Sequence, residues 1–125
     1  MSEDKKNILL VEDEPLLSNL LKQRLEKEGL NVILAQDGEE ALKILKTVKP
    51  NLILLDIILP KISGFELMEI LKTDPQFEKA PIIIISNLGQ ESDVLKGQSL
   101  GAIEYFVKAQ VSIEELVEQV KRFLK

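Results

Sequence analysis

The sequence predicts an α/β protein, a single doubly wound (βα)5 sandwich built on a parallel five-stranded sheet. Three observations predict it. Short runs of Ile, Leu and Val occur five times along the chain. After each comes a stretch with apolar residues at helical spacing. Three of the short runs are apolar at every position, which is how strands covered on both faces read.

The elements follow in order. The first strand is ILLV at 8–11, and Pro15 opens a helix on which Leu16, Leu17, Leu20, Leu21 and Leu25 recur until Gly29. NVILA at 31–35 is the second strand; Ala41, Leu42, Leu45 and Val48 form the next stripe, ended by Pro50. LILL at 52–55 precedes a helix carrying Leu67, Ile70 and Leu71, before the turn signal Asp74-Pro75. IIII at 82–85 leads to a helix from about Gln90 to Leu100, in which Gly97 costs about 0.5–1 kcal/mol relative to Ala. IEYFV at 103–107 is the fifth strand. The last helix starts at Ser112, with Glu115 completing a capping box and Ile113, Leu116, Val117, Val120 and Leu124 on one face.

The 125 residues suit one domain, and the five units use up residues 1–125, with a core from about 6 to 125. Hydrophobic residues make up 45% and charged residues 30%, with no apolar run near the roughly 18 residues a membrane helix needs. MSEDKKNILLVEDE has no secretory signal pattern, and cysteine is absent, so a cytoplasmic location is expected. Histidine is absent too, which removes the commonest general base and transition-metal ligand. A net charge of −5 without a Lys/Arg cluster argues against nucleic-acid binding by this chain alone.

The polar residues that follow the strands carry the chemistry. Glu12-Asp13-Glu14 follows the first strand, Asp56 the third, Ser86-Asn87 the fourth and Lys108 the fifth; only the second ends uncharged, in Ala35-Gln36, which suits an edge strand. In a parallel sheet these C-terminal ends share one edge, where open α/β sheets bind ligands. Any one such residue is ordinary turn chemistry. Together they place several carboxylates around one lysine, and two charges about 5 Å apart cost roughly 3 kcal/mol at an effective dielectric of 20. A divalent cation completes such a set. Hard oxygen donors without His or Cys select Mg²⁺, Mn²⁺ or Ca²⁺ over zinc or copper, and aspartate is a known nucleophile toward phosphorus.

Glu12-Asp13, Asp56 with Pro60 and Gly64 behind it, Ser86, Tyr105 and Lys108 resemble the pattern of CheY-like receiver domains of bacterial two-component response regulators, from about Lys6 to Lys125. The resemblance implies the flavodoxin-like strand order 2-1-3-4-5. It implies that Asp56 accepts a phosphoryl group from a sensor histidine kinase or phosphotransfer protein. The chain would then be no conventional enzyme but would catalyse its own phosphorylation and slow dephosphorylation. It further implies that Asp13, Asp56 and the backbone carbonyl of Ile58 hold Mg²⁺, with Glu12 helping through water. Lys108 and Ser86 would contact the phosphoryl oxygens, while Ser86 and Tyr105 form a switch. That switch would alter the surface of the fourth helix, fifth strand and fifth helix for a downstream protein target or tethered output domain.

Four features depart from that pattern. Ala109 follows Lys108 where proline is usual, Ser63 replaces a frequent Asp, and Asn87 stands where a small residue is usual. Ile58 and Leu88, which would flank the path of the hydrolytic water, are both apolar. Other functions on related chemistry fare worse. A flavin site wants a Ser/Thr/Gly phosphate loop where Glu12-Asp13-Glu14 stands, and a haloacid-dehalogenase-like phosphotransferase wants an Asp where Ile58 stands. The alternative with most support is a degenerate receiver, a phosphorylation-independent protein interaction module. Neither Ile58 nor Leu88 can orient water, so the phosphorylated chain is expected to outlive its Ile58→Asn, Leu88→Glu double variant when decay of the label is followed in time.

Overall fold

Period-2 alternation within the strands decides the layers. Side chains along a strand point alternately to opposite faces, so a run apolar at every position supplies two cores at once. A computed structural model describes residues 5–77 and 79–125, so the first four residues of the expected domain lie outside the described part. Five parallel strands, β1 (Asn7–Val11), β2 (Asn31–Ala35), β3 (Leu52–Leu55), β4 (Ile82–Ser86) and β5 (Glu104–Val107), pair in the order β2-β1-β3-β4-β5. Between and after them lie α1 (Pro15–Lys27), α2 (Gly38–Leu45), α3 (Gly64–Thr73), α4 (Glu91–Ser99) and α5 (Ile113–Leu124). This is the flavodoxin-like architecture the sequence predicts, with β2 at the edge.

On one face, Leu9, Val11, Ile53, Leu55 and Ile84 pack with Ala41 and Leu45 of α2 and Phe65, Met68 and Leu71 of α3. On the other, Ile8, Leu10, Leu52, Leu54, Ile83 and Ile85 pack with Leu21 and Leu25 of α1 and Leu116, Val117 and Val120 of α5. Each such side chain contributes about 1.5–3 kcal/mol when fully buried. The sheet interior is therefore closed to charge on both sides, and polar groups are confined to its ends.

Helix boundaries follow local chemistry. Pro15 stands at the start of α1, and Ser112 and Glu115 form the expected capping box of α5. A second capping box opens α3, where Glu66 N donates to Ser63 Oγ and Ser63 N to Glu66 Oε1, both at 3.1 Å. The Ser63 that departs from the family pattern is thus a helix cap. One expectation needs correcting: α2 ends at Leu45 rather than running to Pro50, leaving Val48 beyond it. Lys46 N and Thr47 N bond to the carbonyls of Lys43 and Ile44, three residues back, which tightens the last turn. The β-branched Thr47 and Val48 then favour leaving the helix.

Gly97 has a packing reason. A Cβ there would sit 2.7 Å from Ile84 Cδ1 and 3.0 Å from the Tyr105 ring. Its absence lets α4 lie close on β4 and β5. Gly97→Ala should therefore lower stability by about 1 kcal/mol or more through overpacking, against the gain of up to about 1 kcal/mol that helix propensity alone would give; urea unfolding measures the sign.

Candidate functional site

The backbone ladder continues one residue past two strands. Glu12 N donates to Ala35 O and Asp56 N to Val11 O, each at 3.0 Å, so these two acids leave the sheet on fixed backbone. Both are buried, at 2% and 3% exposure, whereas Asp13 beside them is exposed. Carboxylate oxygens of Glu12, Asp13 and Asp56 lie within 4.8 Å of one another. Asp56 Oδ1 accepts from Ile58 N at 3.2 Å. Gly64 allows this loop to fold back, since a Cβ there would meet Asp56 O at 2.4 Å and Ile57 Cα at 2.7 Å.

Lys108 reaches the cluster from a 3-10 turn over Lys108–Gln110, directly after β5. Ala109 lies in that turn, and no cis peptide occurs among the described residues. The ammonium sits 2.8 Å from Asp56 Oδ2, 2.8 Å from Glu14 Oε1 and 2.9 Å from Glu12 Oε1. Burial works to lower the lysine's pKa, but the hydrogen bonds to Asp56 and Glu14 and the nearby Glu12 carboxylate outweigh it and hold the pKa above the usual lysine range. Glu12 Oε1, although near the ammonium, lies outside hydrogen-bonding geometry and is left without a hydrogen-bond partner. Burial, reinforced by the charge of Asp56 and opposed by Lys108, pushes the Glu12 carboxyl up to about 7.

These observations decide whether a cation fits. Three carboxylates share one ammonium, a fourth, Asp13, stands beside them, and a buried Glu12 oxygen lacks a hydrogen bond. The donors are all oxygens, the chemistry of a hard divalent ion. Glu12, Asp13 and Asp56 fit such an ion.

Ser86 ends β4 fully buried, and its Oγ accepts from Leu88 N at 3.2 Å. The half-buried Tyr105 donates its hydroxyl to the Leu88 carbonyl. Both backbone groups of Leu88 are thus engaged, one with each residue of the expected switch. Burial and the nearby charge of Asp93 raise the Tyr105 pKa. Asn87 and Ile58, the latter 55% exposed, join Asp13, Glu14, Asp56 and Lys108 around an open cavity of about 250 Å³. Glu12, Asp13, Asp56, Ile58 and Lys108 come together at this edge and Ser86 ends β4 beside it, whereas Tyr105 lies within β5, opposite Ile84, and is joined to Ser86 through Leu88. What the sequence does not foretell is the pairing of Glu14, one of the acids after β1, with Lys108. Its signal is a long carboxylate directly before Pro15, at a helix N-cap where Ser, Thr, Asn or Asp is preferred.

With this geometry in place, comparison with known proteins identifies the class. The response regulator receiver domain family matches residues 8–121, and the chain belongs to that family. It is 42% identical over 120 residues to the alkaline phosphatase synthesis transcriptional regulatory protein PhoP of Bacillus subtilis, covering 96% of this chain and 49% of that protein. The chain spans about half the length of the curated relatives it matches. Among solved structures, a Francisella response regulator receiver domain superposes with a TM-score of 0.87 at 27% identity, covering 97% of this chain and 100% of that one. The Mn²⁺-bound form of the response regulator Rcp1 does so with a TM-score of 0.84 at 29% identity, covering 95% and 94%. Among the described residues, no helix is long and apolar enough to cross a membrane.

The elevated Glu12 carboxyl has a measurable consequence. The unfolded chain releases that proton near the ordinary value of 4.5, the folded chain only near 7. Between these values the folded state binds more protons, so this group's contribution to stability falls as pH rises through the window and is level above it. In EDTA, Glu12→Gln should be more stable than wild type at about pH 8 by on the order of 2–3 kcal/mol, with the difference vanishing near pH 4, as read from urea midpoints.

Proposed function

We propose that the chain is a phosphoacceptor: Asp56 takes a phosphoryl group from the phosphohistidine of a sensor kinase or phosphotransfer protein. The observation that carries this is the buried Asp56 carboxylate, 2.8 Å from the Lys108 ammonium at the edge of an open cavity. An Asp56 oxygen forms the new bond to phosphorus as the donor's P–N bond breaks, and the imidazole leaves with the electron pair. Lys108 holds the nucleophile before transfer and moves to the phosphoryl oxygens afterwards. Ser86 donates its hydroxyl to one of those oxygens.

Asp13, Asp56 and the backbone carbonyl of Ile58 would hold Mg²⁺, with Glu12 acting through water. Bound there, the ion supplies positive charge that offsets both the carboxylate excess and the transferring group's oxygens. Three acids with oxygens within 4.8 Å of one another, two of them buried, and a Glu12 oxygen that lacks a hydrogen bond support this reading, as does the Mn²⁺-bound relative.

Phosphorylation adds about −1.5 to −2 charge and three acceptors. Ser86 turning toward them would release the Leu88 amide, and Tyr105 would follow through the Leu88 carbonyl, resetting the α4–β5–α5 surface. The readout would be a downstream protein or a tethered output domain, consistent with relatives twice this length that carry transcriptional regulator names.

Incubated with acetyl phosphate and Mg²⁺, the chain should gain a phosphoryl label in mass spectrometry that Asp56→Asn lacks. Calorimetry should find Mg²⁺ uptake weakened by Asp13→Asn and by Asp56→Asn. An unlabelled wild-type chain would leave the phosphorylation-independent interaction module as the function.

A further inference from the structure

Glu14 is the carboxylate at this mouth with no part in the phosphoacceptor reading. It occupies the N-cap of α1, yet its side chain makes no cap hydrogen bond. Oε1 is spent on Lys108 instead, at 2.8 Å, on the same ammonium that Asp56 Oδ2 engages. The carboxylate nonetheless remains 60% exposed. Its backbone is braced on both sides: Glu14 N donates to Glu12 Oε2 at 3.1 Å, and Pro15 follows with its restricted φ. An ion pair this exposed contributes only about 0–1 kcal/mol, so stability does not account for a long acid at a cap. Its place does draw notice, because it lines the cavity through which a donor must reach Asp56.

Resting on the reading of Asp56 as phosphoacceptor, we propose that Glu14 is a specificity-determining residue that disfavours small anionic phosphodonors. It acts in two ways. Its charge at the rim repels an incoming dianion, and its hold on Lys108 makes the donor's phosphate compete for the one ammonium in the site. With acetyl phosphate, an Asp56 oxygen bonds phosphorus while the bridging P–O bond breaks and acetate leaves with the electron pair. Total charge is unchanged through that exchange, so Glu14 weighs on the donor's arrival. A donor carried by a docked protein has the rest of its interface to offset this repulsion, whereas a free small anion has nothing else.

The test compares labelling of the whole chain by acetyl phosphate, in excess Mg²⁺ and with donor well below saturation. Glu14→Gln removes the charge and keeps the shape, and its second-order rate constant should rise by about threefold to tenfold at low salt. The advantage should shrink in about 0.5 M NaCl, where exposed charges are screened within a few ångströms. Glu14→Asp, which keeps the charge, should stay near wild type. A Gln variant labelled no faster at low salt, or faster by the same factor at high salt, overturns the role of Glu14 and leaves Asp56 as acceptor. A wild-type chain that takes no label overturns both.

Discussion

One ammonium holds three loops together. Lys108, arriving after β5, touches Glu12 and Glu14 after β1 and Asp56 after β3. The rest of the fold makes this meeting possible. Parallel pairing puts all strand C-termini on one edge, and the continued ladder at Glu12 and Asp56 fixes where the acids emerge. The same meeting is unbalanced, with more carboxylate than ammonium. That imbalance makes the edge receptive to further positive charge.

The cost of holding carboxylates so close has to be borne by the sheet. Two cores, each supplied by alternate residues of the same strands, fill both faces of the sheet with apolar side chains. Glu12 shows the tension most clearly. It is almost fully buried beside Asp56 and retains its proton toward neutrality. A residue arranged only for stability would not stand there, which fits the general finding that perturbed titrations gather at functional sites.

Much of this was legible in the sequence because it rests on two strong periodicities and on the residue after each strand. Strand positions, the two-sided burial and the gathering of Glu12, Asp13, Asp56, Ser86 and Lys108 all follow from those. What escaped depends on neighbours that no local pattern names. The early end of α2 turns on three-residue hydrogen bonds at Lys46 and Thr47. Gly97 reads as a helix weakness until the Ile84 and Tyr105 side chains beneath it are known. Glu14 reads as one more surface acid until its partner, 94 positions away, is in view.

Leu88 joins Ser86 and Tyr105 through its amide and carbonyl alone. Any residue other than proline could make those two bonds, so the wiring between strand and tyrosine is indifferent to the side chain it runs through. The Leu88 side chain, half-buried against the core on the α2–α3 face, serves packing, while its backbone alone carries the connection from strand to tyrosine.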